Sequence, residues 1–217
     1  MINLRVSRKD SKPLLVLCLG CHSDDIEIGC GGTILRLIND YPGVKFYWVV
    51  FSAIGVRRDE AQRAAELFAG SEHLEQLVLK ELPDGFMPFV GSEVKAIFED
   101  LKNKVSPDLI LTHQRRDAHQ DHRLICELTW NTFRNHLILE YEIPKYDGDM
   151  GQPSVFVPLD AEACRTKVRY LMDAFQTQRN KSWFEESTFQ SLMRLRGMEC
   201  NAPSGYAEAF YCRKLML

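Results

Sequence analysis

Residues 14–25 read LLVLCLGCHSDD, an unbroken apolar run that turns abruptly polar at its end. A run that is apolar at every position is typical of a strand covered on both faces in a parallel sheet. Further strands of this kind are predicted at residues 44–52 and 108–112, and each is followed by a segment with helical periodicity. The alternation of strands with helices predicts a doubly wound α/β fold with right-handed crossovers.

The same alternation continues along the chain, without an internal repeat or a low-complexity linker. A first helix is expected after the flexible glycines of residues 29–32, and the pattern becomes less regular after residue 135. The remaining predicted strands are residues 76–79, 138–143, 154–159 and 207–215, and the predicted helices are residues 34–38, 57–69, 94–105, 124–133, 162–176 and 182–196. Length and pattern together predict a single domain over residues 1–217.

Composition excludes several classes of partner. The chain of 217 residues has 27 Lys and Arg against 30 Asp and Glu, a formal net charge of -3, and no clustered basic stripe. Nucleic acid and anionic membrane surfaces both need a localised positive field, so neither is an expected partner. No apolar run reaches about 18 residues, and residues 1–12 are charged where a signal peptide needs its apolar stretch. We therefore predict no membrane span and a cytoplasmic location.

The seven cysteines are odd in number and are scattered through apolar segments. This distribution is typical of reduced thiols in the cytosol rather than of a disulfide framework. Cys18 and Cys21 have the CxxC spacing of a redox pair, but such a pair is expected to open a helix, and Cys18 lies within the strand-like run. Both residues are therefore predicted to be buried structural thiols.

Two polar segments, CHSDD at residues 21–25 and HQDH at residues 119–122, follow predicted strands. Ligands of open α/β sheets collect at the carboxyl ends of the strands. Imidazole and carboxylate groups suit Zn²⁺, and three protein ligands with an open fourth position characterise a catalytic zinc site. His22, Asp25 and His122 are the predicted ligands.

Three further residues of these segments are predicted to be catalytic. Neighbouring side chains diverge, so while Asp25 binds the ion, Asp24 faces its water as the general base. His119 lies three residues before His122 at a predicted helix start, so it can point the same way and do proton chemistry. Asp121 either hydrogen-bonds an imidazole or caps the helix, and the pattern favours neither role.

Other candidates lie close to these segments. Arg57 and Arg58 follow the second strand, where they either form a solvated helix start or reach the hydroxyls or an anionic group of a substrate. We take both as candidate substrate-binding residues. His113 and Asp117 precede the second segment, and they either surround the ligands or lie on the surface.

Both segments resemble motifs of a known family. HSDD with the glycines at residues 29–32, and HQDHR at residues 119–123, resemble the HPDD and HxDH motifs of the LmbE-like (PIG-L) zinc deacetylases. The resemblance extends to residues 57–61, 112–113 and 205–210, and so spans nearly the whole chain. Ser23 stands where the family has proline, and Cys21 where alanine is common. We expect Cys21 to face the core, although its thiol is also a soft candidate ligand.

The resemblance implies a Rossmann-like fold, with a mostly parallel central sheet and helices on both faces. It implies hydrolysis of the N-acetyl group from an N-acetylglucosamine-type sugar, with Zn²⁺ as cofactor and a small-molecule N-acetylated sugar or sugar conjugate as substrate. His22, Asp25 and His122 would bind the metal. Asp24 would deprotonate the water, and His119 would stabilise the oxyanion and protonate the leaving amine. Whether the chain forms a homo-oligomer is left open.

Two other functions fit parts of the pattern. The same machinery could hydrolyse a non-sugar amide, such as an acylated antibiotic or an amino-acid derivative. A Rossmann nucleotide-binding module without hydrolysis predicts G-x-G-x-x-G directly after the strand, whereas here Gly20 is followed by residues 21–25, whose two carboxylates would repel a pyrophosphate. Loops at residues 81–91 and 141–153 are candidate rims of the pocket.

Overall fold

The computed structural model describes residues 4–6 and 12–216. The charged segment at residues 1–12, which we predict is not a signal peptide, therefore lies mostly outside the described residues. The described strands and α-helices are, in chain order, β1 (Leu15–His22), α1 (Asp25–Asp40), β2 (Lys45–Ser52), α2 (Val56–His73), β3 (Leu74–Leu79), α3 (Gly91–Lys104), β4 (Leu109–His113), α4 (Gln120–Thr132), β5 (Leu137–Tyr141), β6 (Val155–Leu159), α5 (Ala161–Ala174), α6 (Glu186–Glu199) and β7 (Tyr206–Cys212). Short 3₁₀ helices lie at Met87–Val90 and Gln176–Gln178.

The seven strands form one sheet in the order β3-β2-β1-β4-β5-β7-β6. The first five strands run parallel, and β7 is antiparallel to both of its neighbours. Chain growth reverses between β1 and β4, and this switch point is where ligands of such sheets bind. The predicted α/β class with a mostly parallel sheet is confirmed.

The core lies on both faces of the sheet, which explains why β1 is apolar throughout. Successive side chains of a strand point to opposite faces, so Val16 and Cys18 belong to one buried cluster while Leu17 and Leu19 belong to the other. The first cluster is covered by α1, α2, α5 and α6, and the second by α3 and α4. Full burial of a Val or Leu side chain stabilises the fold by roughly 1.5–3 kcal/mol. The side chains on both faces of β1 therefore contribute to the stability of the folded state.

The expectation that the glycines of residues 29–32 form a flexible link is wrong, because helix α1 already begins at Asp25 and contains them. A Cβ atom on Gly29 would lie 2.2 Å from Cδ2 of Tyr141, and one on Gly31 would lie 2.4 Å from Cε1 of Phe68. These glycines therefore allow α1 to pack closely against its neighbours.

Helix α1 is kinked at Cys30, whose φ of -145° is not helical. The amides that the kink frees, on Gly32 and Thr33, donate to the two carboxylate oxygens of Glu208 at 2.8 and 2.6 Å. Buried Lys167 lies 2.6 Å from the same carboxylate and donates to the Ile28 carbonyl. A buried ion pair from α5 and β7 thus supplies the partners that the helix does not provide itself.

Cys18 and Cys21 are buried, as predicted, and all seven cysteines are free thiols, six of them buried. Burial raises the pKa of Cys18 and Cys21, in the latter case to about 12. Both therefore stay protonated, as expected of structural thiols. Within the described residues, every helix is too short or too polar to cross a bilayer.

Candidate active site

The two polar segments meet at the switch point of the sheet. Strand β1 ends at His22 and α1 begins at Asp25, while β4 ends at His113 and is followed by α4 from Gln120. Because β1 and β4 are adjacent and parallel, their carboxyl ends open on the same edge. The fold therefore brings together residues about a hundred positions apart.

The three predicted ligands face one another at short range. Nδ1 of His22 lies 3.1 Å from Nε2 of His122 and 3.4 Å from Oδ2 of Asp25. The third side of the triangle, from Nε2 of His122 to Oδ2 of Asp25, is 3.5 Å. A tetrahedral zinc ion with bonds of about 2.0–2.2 Å separates its ligand atoms by about 3.3–3.6 Å. The three donor atoms thus fit this ion closely.

The pKa shifts of Asp25 and His122 suit metal binding. Burial alone raises the pKa of Asp25, but the imidazoles of His122, His113 and His22 outweigh it and hold that pKa well below its usual range. Burial, together with His113, lowers the pKa of His122. An ionised carboxylate and a neutral imidazole are the forms that bind metals. Burial alone lowers the pKa of His22, but Cys21, Asp25 and Asp121 outweigh it and raise that pKa, so a metal bound there would displace a proton.

The second nitrogen of His122 is held by Asp117. Nδ1 of His122 lies 3.0 Å from Oδ2 of Asp117, so Nδ1 carries the proton and Nε2 keeps its lone pair toward the cluster. Burial alone raises the pKa of Asp117, but the hydrogen bond with His122, together with His113 and Lys145, keeps it below its usual range. Lys145 lies 3.0 Å from the other carboxylate oxygen.

His113 is buried beside the predicted ligand Asp25 rather than exposed on the surface. Its Nε2 accepts the Cys21 amide at 3.0 Å and lies 3.2 Å from Oδ2 of Asp25. The Tyr141 hydroxyl is 3.3 Å from the same nitrogen. The structure therefore places both His113 and Asp117 around the predicted ligands.

Cys21 faces the core, as expected. One donor atom from each of Cys21, His22, Asp25 and His122 lies within 4.8 Å of the others. However, the fully buried thiol of Cys21 contacts Sδ of Met87 at 3.3 Å, and its raised pKa keeps it protonated. Since thiolate is the ligand form of cysteine, the geometry favours the two histidines and the aspartate.

Asp121 holds a neighbouring loop. Its carboxylate accepts the amides of Gly85 and Met87 at 2.7 and 3.2 Å, and its Oδ2 lies 3.6 Å from Nε2 of His22. The cap of α4 is instead His119, whose side chain accepts the Asp121 amide. Neither role predicted for Asp121 is observed, because His119 caps α4 and the 3.6 Å separation from His22 is too long for a hydrogen bond. Asp121 instead holds the 81–91 loop beside the predicted ligands.

His119 lies over two of the three predicted ligands. Its ring stacks on that of His122 at a centroid distance of 4.6 Å and meets the ring of His22 edge-on at 4.9 Å. Its Nδ1 accepts the Asp121 amide at 3.3 Å, which leaves the proton on Nε2. Burial lowers the pKa of His119, and the imidazoles of His122 and His22 lower it further.

The two candidate arginines point to different places. Arg57 donates from Nη2 to Oδ1 of Asp24 at 2.7 Å, which places its guanidinium beside the HSDD segment. Arg58 donates instead to the Leu79 carbonyl at 3.2 Å and to Glu81 at 3.3 Å. The structure thus brings only Arg57 into contact with another predicted site residue.

Several residues at the site were not singled out by sequence reasoning. Asp84 has Oδ1 3.0 Å from Nε2 of His22, without hydrogen-bond geometry. Lys145 lies in the 141–153 loop, and Asp149 of the same loop accepts the Ala118 amide at 2.6 Å. Their partners are distant in the sequence, so no local pattern marks them.

Comparisons with known proteins agree with these motifs. A family model described as PIG-L: GlcNAc-PI de-N-acetylase matches residues 17–133. The uncharacterized deacetylase YaiS of Escherichia coli is 27% identical over 142 residues, which is 59% of this chain and 74% of that protein. The sequence similarity therefore includes both polar segments.

Solved structures share the fold. N,N′-diacetylchitobiose deacetylase from Pyrococcus horikoshii has a TM-score of 0.70 at 19% identity, with 92% of this chain and 83% of that chain covered. The 4-carboxy-2-hydroxymuconate hydratase GalB from Pseudomonas putida has a TM-score of 0.74 at 16% identity, with 94% of this chain and 98% of that chain covered. A deacetylase and a hydratase thus share this architecture, so the fold alone does not fix the reaction.

Proposed function

Because the chain belongs to the PIG-L family of deacetylases, we propose that it is a zinc-dependent hydrolase that removes the N-acetyl group from an N-acetylglucosamine-type sugar conjugate. The products are the free amine and acetate. The observation that carries this proposal is the triangle of donor atoms from His22, Asp25 and His122, with sides of 3.1, 3.4 and 3.5 Å. When bound there, zinc lowers the pKa of water to about 7 and polarises the amide carbonyl.

We assign the proton chemistry to two residues outside the triangle. Asp24, which directly precedes Asp25, takes the proton of the attacking water on its carboxylate. His119 donates from Nε2 to the carbonyl oxygen as negative charge develops there, in keeping with the proton that its Nδ1 contact leaves on Nε2. The second predicted role of His119 is to protonate the leaving amine, and for this the ring must carry a proton on Nδ1 as well. That proton would break the contact in which Nδ1 accepts the Asp121 amide.

The substrate assignment is supported by the rims of the site. The loop held by Asp121 exposes the rings of Phe86 and Phe89, and the 141–153 loop exposes that of Tyr146. Exposed aromatic rings offer flat apolar surfaces for a sugar ring or its aglycone. The seven free thiols support action in a reducing compartment such as the cytoplasm.

Acetate release tests this function. The zinc-loaded protein is assayed against N-acetylglucosamine conjugates with small polar, nucleotide and lipid aglycones, and against N-acetylated antibiotics and amino acids. We expect release from at least one sugar conjugate. Turnover confined to non-sugar amides would favour the alternative hydrolase, and no release from any amide would contradict deacetylation by this site.

A prediction about metal affinity follows from Asp117. We expect Asp117→Asn to weaken zinc binding by about 10- to 100-fold, because an amide orients and polarises the His122 imidazole less well than a carboxylate. Competition with a chromophoric chelator measures this affinity. Asp149→Asn is the matched control, since this carboxylate contacts Lys145 and the Ala118 amide but no imidazole. Equal zinc affinities for the two variants would contradict the prediction.

A further inference from the structure

Thr177, Glu60 and Arg57 form a series of polar contacts that ends at Asp24. Asp24 accepts from Nη2 of Arg57 at 2.7 Å, and Nη1 of the same guanidinium donates to Oε2 of Glu60 at 3.3 Å. Glu60 is fixed in turn by Thr177, whose amide and hydroxyl donate to its two carboxylate oxygens at 2.8 and 2.6 Å. The contacts thus connect the start of α1, the first turns of α2 and the 3₁₀ helix after α5.

The two carboxylates of these contacts are buried, although Thr177 is exposed. Asp24 and Glu60 are only 5% and 6% exposed, and the guanidinium of Arg57 lies 5.7 Å from the ring centroid of Phe175. Burial alone lowers the pKa of Arg57, but the carboxylates of Asp24 and Glu60 outweigh it and raise that pKa. The guanidinium is therefore charged and held on both sides by carboxylates.

Asp24 depends on this arginine for its orientation. It occupies the N-cap position of α1, yet its side chain makes no capping hydrogen bond. Among the described residues, Arg57 alone donates a hydrogen bond to its carboxylate. The adjacent carboxylate of Asp25 repels it. A long arginine side chain loses rotamer entropy when it is fixed, so a second partner is needed to hold it in place.

We propose that Glu60 is a positioning residue that fixes Arg57 against Asp24, and that Arg57 serves to orient the Asp24 carboxylate rather than to bind substrate. This inference rests on the proposed function, in which Asp24 takes the proton of the attacking water. Misplacing a reacting group by about 1 Å costs on the order of a hundredfold in rate. The contacts from Thr177 through Glu60 and Arg57 thus control kcat.

A double-mutant cycle tests the proposal. We expect Arg57→Ala to lower kcat by about a hundredfold and Glu60→Gln by about tenfold, with KM within about threefold of the wild-type value. Because Glu60 acts through Arg57, the double variant should match Arg57→Ala within about twofold. A zinc content equal to that of the wild type ensures that the ligands are intact.

Controls separate positioning from general destabilisation. Glu66→Gln removes an exposed carboxylate of the same helix, which accepts a hydrogen bond from Gln62, and should leave kcat unchanged. Thr177→Val keeps the side-chain shape but removes the hydroxyl, which donates to Glu60 and accepts from Nη1 of Arg57 at 3.4 Å, and should lower kcat less than Glu60→Gln does. A crystal structure of Glu60→Gln, which needs no activity, should show the guanidinium of Arg57 turned away from the Asp24 carboxylate.

Several outcomes would overturn the inference. A raised KM with retained kcat in Arg57→Ala would make Arg57 a substrate contact. Fully additive effects on kcat, wild-type kcat in Glu60→Gln, or an intact hydrogen bond from Arg57 to Asp24 in its crystal structure would each remove Glu60 from the role. Each of these results overturns the inference but not the proposed function, because the wild-type enzyme still releases acetate in that case. A wild-type protein that hydrolyses no amide would overturn the proposed function as well.

Discussion

Asp24→Asn is expected to lower kcat by about 10²- to 10⁴-fold while zinc stays bound, the range typical of removing a general base. The asparagine amide has the shape of the carboxylate, and its oxygen can still accept from Arg57, whose Nη2 lies 2.7 Å from Asp24. It cannot accept the proton of the attacking water. Asp24 is not among the three donor atoms of the triangle, so the metal should remain.

The measurement combines steady-state kinetics on the best substrate with elemental analysis of the purified variant. Asp40→Asn is the matched control, since it changes an exposed carboxylate at the other end of α1 that pairs with Arg36. A near-wild-type kcat in Asp24→Asn would assign the base to another group. Loss of zinc from the variant would instead show that Asp24 supports the metal.

The order of the central strands and of the helices that follow them could be predicted from the sequence because β1 and β4 are buried on both faces. Leu17 and Leu19 pack on one side of β1, and Val16 and Cys18 on the other, so the apolar run is continuous and easily recognised. The short distances among His22, Asp25 and His122 follow from the predicted strand order. Once β1 and β4 are parallel strands of one sheet, the residues after their carboxyl ends lie at one edge.

The glycines of α1 show where such reasoning fails. Glycine in a sequence is compatible with a flexible link or with close packing, and the choice depends on what lies opposite. Gly29 faces Tyr141, more than a hundred residues away, and Gly31 faces Phe68. The kink at Cys30 likewise depends on Glu208, whose contact with Gly32 spans 176 positions. No local pattern contains these neighbours.

The roles of individual polar residues were harder to predict than their position. Arg57 and Arg58 are adjacent in the sequence, yet side chains one residue apart on a helix point in different directions. Arg57 consequently reaches Asp24, while Arg58 reaches Glu81, which follows the end of β3. The sequence pattern offers Asp121 two local roles, but the structure shows contacts with the amides of a loop 34 and 36 positions away.

One zinc ion per chain is expected in protein purified without added metal, and His122→Ala and Asp25→Ala should lose it together with all measurable activity. Two imidazoles and one carboxylate favour zinc, whereas magnesium prefers six oxygen ligands in octahedral geometry. Removing His122 leaves two donors 3.4 Å apart and takes the imidazole partner away from the buried carboxylate of Asp117. Removing Asp25 takes away the one anionic ligand of the triangle.

Elemental analysis gives the stoichiometry, and thermal unfolding gives a second readout. A ligand present at a thousand times its Kd stabilises the folded state by about 4.1 kcal/mol, so a chelator should lower the Tm of the wild type but leave that of His122→Ala unchanged. His136→Ala, which changes a half-buried histidine beyond the end of α4, should behave as the wild type does. Substoichiometric zinc in the wild type, or full zinc content in His122→Ala, would mean that the short donor distances at the switch point are held by the fold for some purpose other than binding this metal.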